Sequence, residues 1–440
     1  MSKNKLPFFV WGILITITFF TLLAINLEFF RTKQEPLSIV QPAAANRPSD
    51  AWMNIYQNKK KIGVVHRTFI ARDKGYQFGE NISMQINTLG VIQALNISTS
   101  GDLNPDMTVS SFNFDLSSSL FRFNANGFVV KNKLVLFTGL PGAQQKSEIP
   151  LKEIPHISGS IYDAAFRSNL AKGATRNFSI FDPSTLALRS IKVTRNADEI
   201  ISVMGKRILT QKYCADFMGA QNCSWLDKDG ETLKETGILG LSLEKVSPEK
   251  AQEGIATNGN IDFTQIASIP SNVHIKTPEI LNRLKIKISG TGGLSFHLNG
   301  GRQNYIKDIL TINLEQPFLS TGKALPDLPP EIAVFLKATP LVQANHPQMQ
   351  AQVDKIIQTN DSPEQKVSKI VNWVYRHVEK KPVLSVPNAL EVLQNKVGDC
   401  NEHAVLIAAL LRTAGIPAQI ETGLVYISGR FYYHAWNIAY

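Results

Sequence analysis

Cysteine is scarce in this chain: three in 440 residues, at positions 214, 223 and 400. None falls in the paired, closely spaced pattern of a structural zinc module, and none stands near the end of the N-terminal apolar run, which excludes a lipoprotein lipidation site. Clustered positive charge is scarce as well. The net charge is +10, yet beyond Lys59, Lys60 and Lys61 there is no basic run of note and no recognisable nucleic-acid module, so no nucleic-acid partner is expected. A basic exterior suits an acidic envelope polymer or an anionic lipid surface equally well. There is no acidic cluster to hold calcium, and the glycine run at 290–293 is a turn rather than a phosphate loop because no helix follows it. No cofactor is therefore expected. Finally, no acid lies between His434 and Tyr440.

What is present begins with residues 6–27, which pass without a charge and are long enough to cross a hydrocarbon core of about 30 Å as a helix. Lys3 and Lys5 precede it, so the reading is a transmembrane signal anchor over 6–30 with residues 1–5 in the cytoplasm and the bulk of the chain exported. A cleaved signal peptide is the rival reading, but no small-residue site follows closely and the alanines at 43–45 come late. These features place the protein in the cell inner membrane as a single-pass protein with a periplasmic body. Residues 31–50, mixed in charge and without periodicity, read as a linker.

A length of 440 residues exceeds one hydrophobic core, and 43% hydrophobic with 19% charged residues is an ordinary globular balance. Over 51–325 apolar residues recur with period two, as in Ile82-Met84-Ile86 and Phe112-Phe114-Leu116, with turn formers between them such as Asn104-Pro105-Asp106. This is the pattern of an antiparallel β-rich domain. Later strands are expected at Ile191-Val193, Ile208-Thr210, Leu284-Ile286-Ile288 and Leu294-Phe296-Leu298, and a short helix over 161–170. Cys214 and Cys223 flank Met218-Gly219. A two-residue turn there would set the cysteines opposite one another on adjacent strands, close enough for a disulfide. The alternative is two separate buried thiols.

Helical spacing returns in 326–440. Ser362, Pro363 and Gln365 form a helix start, and Val367, Ile370, Val371, Val374 and Val378 keep one apolar face. Farther on, Asp399 with Glu402 three residues later is an acidic capping box, which sets Cys400 at the first helical position. Unpaired N–H groups and the helix dipole there favour a thiolate. The run 404–414 is apolar on nearly all sides, and Gly415 with Pro417 closes the helix. Residues 418–427 and 430–440 then read as a β-hairpin about Ser428-Gly429, carrying His434 on its second strand. A thiol and an imidazole far apart in sequence and adjacent in a fold form the nucleophile and general base of acyl transfer. The alternative reading makes Cys400 a small buried residue and His434 a satisfied strand residue. A metal site of Cys400, His403 and His434 lacks paired-ligand spacing, and His403 reads as a packing residue beside the site.

The residues GDCNEHA at 398–404, LLRTAGIPA at 410–418 and HAW at 434–436 resemble, in that order, the core of the transglutaminase-like superfamily. That resemblance covers the last quarter of the chain and implies a papain-like α+β fold with a Cys-His-Asp triad, Cys400 being the nucleophile and His434 the base. Gln394 could supply an oxyanion-hole amide as in papain-like enzymes, or be a solvated helix residue. The region before it resembles, more vaguely, the curled-sheet domains that precede transglutaminase-like domains in exported bacterial proteins, mainly in SWLDKDGETLKE at 224–235. One departure concerns the third triad member: in the family it is an Asp on the next strand, some way beyond the HAW, and the given sequence stops at Tyr440 before reaching it, so the chain is cut short of it, an upstream acid fills in, or the site is weak or inert. Asn437, an odd number of residues away, would point to the other face of a regular strand. In the serine-protease precedent, loss of the orienting acid lowers the rate by about four orders of magnitude.

The expectation is thus an α+β protein: a transmembrane helix, an antiparallel β-rich middle domain and a C-terminal transglutaminase-like domain. It would perform thiol acyl transfer on amide bonds of envelope proteins or peptides, or else serve as a weakly active or inactive scaffold of that fold.

Overall fold

The computed structural model describes residues 49–139, 144–217, 220–254, 262–290, 296–315 and 328–440. The apolar stretch 6–27 and the linker up to residue 48 lie outside them. Within the described residues the expected α+β class is corrected: 48% of the structure is strand and 22% helical. The period-two pattern that begins at Ser49 dominates, and helices gather only in the last quarter. No helix among the described residues is long and apolar enough to cross a membrane; the expected transmembrane segment at 6–30 lies outside them.

One sheet of sixteen strands gathers the strands between Ser49 and Val246. Eight strands run in sequence as a meander from Ser49–Gln57 to Gln145–Pro150, each paired antiparallel with the next. The first of them also pairs with Leu241–Val246, and through it the later strands join the same sheet. The exception to antiparallel pairing in this sheet is the two-residue strand His156–Ile157, parallel to Thr175–Asp182. The alternation is visible in Val109–Ser118, where Phe112, Phe114 and Leu116 are buried and Asn113 is exposed. A strand pattern of this kind is half satisfied by a single sheet and needs a second apolar layer to cover its inner face. The sheet supplies that layer by curling on itself. Phe78, Phe112 and Phe123 of the first arm and Phe181, Val193 and Tyr213 of the second belong to one core, with Ala164 and Ala165 of the short helix Ile161–Arg167 between them.

One ion cluster joins the two arms, and one disulfide joins neighbouring strands within the second. Arg67 donates to Glu80 at 2.6 Å and to Glu235 at 3.0 Å, and all three side chains are nearly enclosed. Cys214 and Cys223 are direct partners on neighbouring strands and are joined by a disulfide. The Met218-Gly219 turn expected between them lies outside the described residues.

A separate three-stranded sheet is formed by Arg283–Lys287, Ile309–Asn313 and Gln303–Ile306. The strand expected over 294–298 is not formed at Phe296 to Leu298, while its residues 294 and 295 lie outside the described set. Ile309–Asn313 takes its place beside Arg283–Lys287, because it offers a longer run of β-formers.

The C-terminal part packs four helices and a hairpin around a second core. Pro347–Ile356, Pro363–His377 and Ala389–Asn395 surround Cys400–Thr413, whose Leu406, Ala408, Ala409 and Leu410 are fully buried. Pro363–His377 begins with the Ser362/Gln365 capping box and turns Ile370 and Val374 inward. The hairpin Ala418–Ile427 and Arg430–Ala439 turns at Ser428 and Gly429, both with positive φ, as a two-residue turn requires. Arg412 ties the end of the central helix to this hairpin by two N–H donors to the Ala418 carbonyl at 2.9 and 2.8 Å. Ile269–Pro270, from far upstream, adds a short third strand beside Arg430 and Phe431.

Candidate active site

The site starts from the turn into the Cys400–Thr413 helix. Asp399 accepts a hydrogen bond from the Asn401 N–H at 3.0 Å, and Glu402 accepts one from the Asp399 N–H at 2.9 Å, completing the capping box. Two of the orphan donors of the helix start are satisfied in this way, which fixes Cys400 at the first helical position. Gly398 is required by close approach rather than by backbone angle. A Cβ there would lie 2.2 Å from the Cβ of Glu402. Glu402 itself is 2% exposed and also takes the Ser385 hydroxyl proton in a hydrogen bond. Burial, with the Asp399 charge beside it, pushes its carboxyl up to about 7.

Cys400 is half-buried and free. Burial lifts its thiol above the ordinary value, and the Asp399 and Glu402 carboxylates add to the rise. The Ala435 backbone N–H, facing the sulfur, pulls the other way. The helix start alone favours thiolate, as expected from sequence, but desolvation and two neighbouring acids outweigh it.

The thiol opens on a cavity of about 610 Å3. Its walls include His403, Ala404, Ile407 and Leu411 of the same helix, Val367 and Val371 of Pro363–His377, and His434 to Asn437 of the last strand. Leu89, from the turn between the strands Gly75–Thr88 and Val91–Leu103 of the large sheet, closes one side.

The structure brings Cys400 and His434 to this one cavity but forms no hydrogen bond between them among the described residues. Strand alternation is the reason. Tyr433 donates to the Asn401 side chain at 2.9 Å and Asn437 donates to the Ala404 carbonyl at 3.0 Å, so that face of the strand meets the helix. His434 and Trp436 occupy the opposite face, their rings stacked at 6.4 Å, with Trp436 over Gly423 of the paired strand. The imidazole of His434 is exposed and reaches the cavity past the strand edge, with no acid bonded to it. Gln394 is not brought to the cavity. It lies exposed on its own helix and donates to Gln348 at 3.1 Å.

Three participants were not legible as such. The spacing of Glu402 marks it as a cap and carries no sign of a buried acid next to the thiol. Tyr433 gave no signal beyond its neighbouring motif. His403 lies one turn from Cys400; its Nδ1 is 2.6 Å from the Asp399 carbonyl and its Nε2 is buried without a partner. No group of three or more His, Cys, Asp or Glu side chains able to hold a metal is gathered among the described residues.

The arrangement is a thiol on the capped end of a buried helix, open to a cavity that His434 also lines. The sequence comparison is more specific: residues 350–440 match the transglutaminase-like superfamily. A search of curated proteins found no match. Among solved structures, the chain is similar to a β-barrel-like protein of unknown function from Brucella abortus, at 12% identity over 46% of this chain and 97% of that one, with a TM-score of 0.35. A protein from Cytophaga hutchinsonii described as a candidate cysteine protease is 20% identical over 39% of this chain and 69% of its own, with a TM-score of 0.26. A member of a family of unknown function from Pseudomonas aeruginosa is 12% identical over 44% and 93%, with a TM-score of 0.25.

Proposed function

We propose that the protein is a thiol acyltransferase or amidase acting on amide bonds of proteins or peptides outside the cytoplasm. What carries this reading is Cys400, held at the first position of a capped, buried helix and open to a cavity that His434 also lines. In the first step Sγ bonds to the amide carbonyl carbon, the C–N bond breaks, and the thiol proton leaves with the amine through the imidazole of His434. In the second, water or an amine attacks the thioester, the C–S bond breaks and the thiol is restored. Location outside the cytoplasm is supported by the Cys214–Cys223 disulfide, a bond that persists in oxidising compartments. Envelope proteins or peptides are the substrates that such a location offers.

A second reading is a binding protein of the same fold without turnover. The absence of a Cys400–His434 hydrogen bond among the described residues and the raised thiol favour it. Incorporation of a fluorescent primary amine into a panel of acyl-donor peptides, together with release of free amine from them, separates the two. Turnover that disappears in Cys400→Ala and falls by ~100-fold or more in His434→Ala supports acyl transfer. Equal signals from the wild type and Cys400→Ala across the panel would leave only the binding protein.

A further inference from the structure

On the reading that Cys400 is the nucleophile, we infer that Lys380 and Lys381, which line its cavity, select acyl donors carrying an anionic group within about two residues of the reacting carbonyl. The argument begins with how closely these lysines are tied to the thiol. Glu379–Lys380 pairs in parallel with Val397–Gly398, with Lys380 opposite Gly398. Two backbone bonds lock that register. The Glu379 N–H donates to the Lys396 carbonyl at 2.8 Å, and the Lys381 N–H donates to the Gly398 carbonyl at 3.1 Å. Neighbouring strands lie about 4.8 Å apart, and Cys400 is two residues beyond Gly398, roughly 7 Å of chain. An extended donor, met by the lysine side chains, covers that separation within about two residues.

Both lysines are exposed, so a ligand reaches them from solvent. Lys380 holds its ammonium 3.7 Å over the ring of Tyr375 and pairs with no carboxylate among the described residues. A cation resting on a ring keeps N–H donors for an oxygen acceptor. Lys381 lies 2.8 Å from Glu379, but the two side chains are 53% and 60% exposed. A pair so open to water is weak, and an incoming carboxylate can share its cation. Behind the lysines the wall is formed by Leu89, Val367, Val371, Ile407 and Leu411, and apolar walls of this kind concentrate the field of the charges beside them. Asp399 also lines the cavity, but it accepts the Asn401 N–H at the helix start, where the positive end of the helix offsets its charge.

The test uses the full chain with its disulfide intact and four N-iodoacetyl reagents. Those of glycine and glycinamide differ in a chain-terminal carboxylate, and those of aspartic acid α-amide and asparagine α-amide differ in a side-chain carboxylate. Each forms a bond from Sγ of Cys400 to carbon while the C–I bond breaks, iodide leaves and the thiol proton passes to buffer. Second-order rates are divided by those of 2-mercaptoethanol, a neutral thiol. In about 20 mM salt at least one acid should outpace its amide by ~5-fold or more, and the advantage should shrink towards one in about 0.5 M salt. The pair with the larger ratio names the source of the carboxylate. Lys380→Gln with Lys381→Gln should bring the ratio to near one, while Lys380→Arg with Lys381→Arg should keep most of it. Glu379→Gln, which removes the competing carboxylate, should raise it. Lys192→Gln with Lys228→Gln, at two exposed lysines that do not line the cavity, should leave it unchanged, which separates these two lysines from the net charge. Prompt labelling with ratios near one for both pairs, or with an equal loss in the two Lys→Gln double variants, would overturn the inference and leave the nucleophile standing. Failure of every reagent to label Cys400 in the folded chain would remove the nucleophile, and the inference with it.

Discussion

Replacing Glu402 by Gln tests the electrostatics of the site most directly. Glu402 is an acid 2% exposed, next to Asp399, with its carboxyl raised from 4.5 to about 7 by burial first and by the Asp399 charge second. Gln keeps the shape. Its carbonyl can still accept the Asp399 N–H, and its amide can donate to the Ser385 hydroxyl, which rotates to accept. The sign follows from linkage. Because the folded state holds the proton more tightly than the unfolded one, the stabilisation is fully present below pH 4.5 and is lost as pH rises through about 7. The difference between about 7 and 4.5, at about 1.36 kcal/mol for each unit, amounts to about 3 kcal/mol at most. Urea denaturation at pH 5 should therefore find Glu402→Gln and the wild type within about 1 kcal/mol of one another. At pH 8 the variant should be the more stable, by up to about 3 kcal/mol. Alkylation of Cys400 at pH 8 should also be faster in the variant, since a negative charge that holds the thiol up has been removed. A variant no more stable than the wild type at pH 8 refutes this. The carboxylate would then be held ionised by its two donors, Ser385 and the Asp399 N–H.

Gly398→Ala places a methyl 2.2 Å from the Glu402 Cβ, so it should destabilise the fold by about 1–3 kcal/mol and lower the melting temperature; an unchanged melt contradicts the close approach. The double substitution Cys214→Ser and Cys223→Ser opens a loop with a sequence separation of 9, for which loop closure gives about 2.7 kcal/mol of lost stability by urea denaturation. Thiol titration of the denatured wild type without reductant should count one reactive cysteine, and a count of three would show that the bond is absent. Arg67→Met leaves Glu80 and Glu235 enclosed without their cation, and should cost about 3–5 kcal/mol at neutral pH and less at low pH, where the two acids protonate.

The parts of the site that the sequence made legible are those set by spacing within a few residues. Asp399 and Glu402 define the cap, the apolar run after Ala404 defines the buried helix, and Ser428-Gly429 defines the hairpin turn; each forms where its own neighbours dictate. Chain-distant relations were not legible. The sixteen-stranded sheet outweighs the helices because its strands recur over some two hundred residues, a sum that a motif-centred reading understates. The expected strand at 294–298 met competition from Ile309–Asn313, and no local pattern ranks two such partners. The thiol's rise depends on burial and on Ala435, both consequences of how the last strand lies against the helix. The parity of that strand was readable, and it turns Asn437 towards the helix and His434 away from it.

The large sheet is joined to the site at several points. Gln93 donates to the Pro382 carbonyl at 3.0 Å, Asn395 donates to the Leu120 carbonyl at 3.2 Å, and the Arg122 N–H donates to Glu391 at 2.8 Å. Gln93 is 4% exposed, so its contact is an enclosed one, and it lies four residues beyond Leu89 on the strand that leaves the same turn. Pro382 lines the cavity beside Lys380 and Lys381. The hydrogen bond thus holds the strand next to the cavity wall, and the turn carrying Leu89 is delivered to the mouth by a rigid hairpin of two long strands rather than by a loose loop. Burial raises Glu391 to about 7, while the Arg122 N–H holds it down, so this junction also carries a group whose charge changes near neutral pH. The cavity before Cys400 is consequently a joint product of both parts of the chain, its chemistry supplied by the C-terminal helix and strand and part of its shape by the sheet.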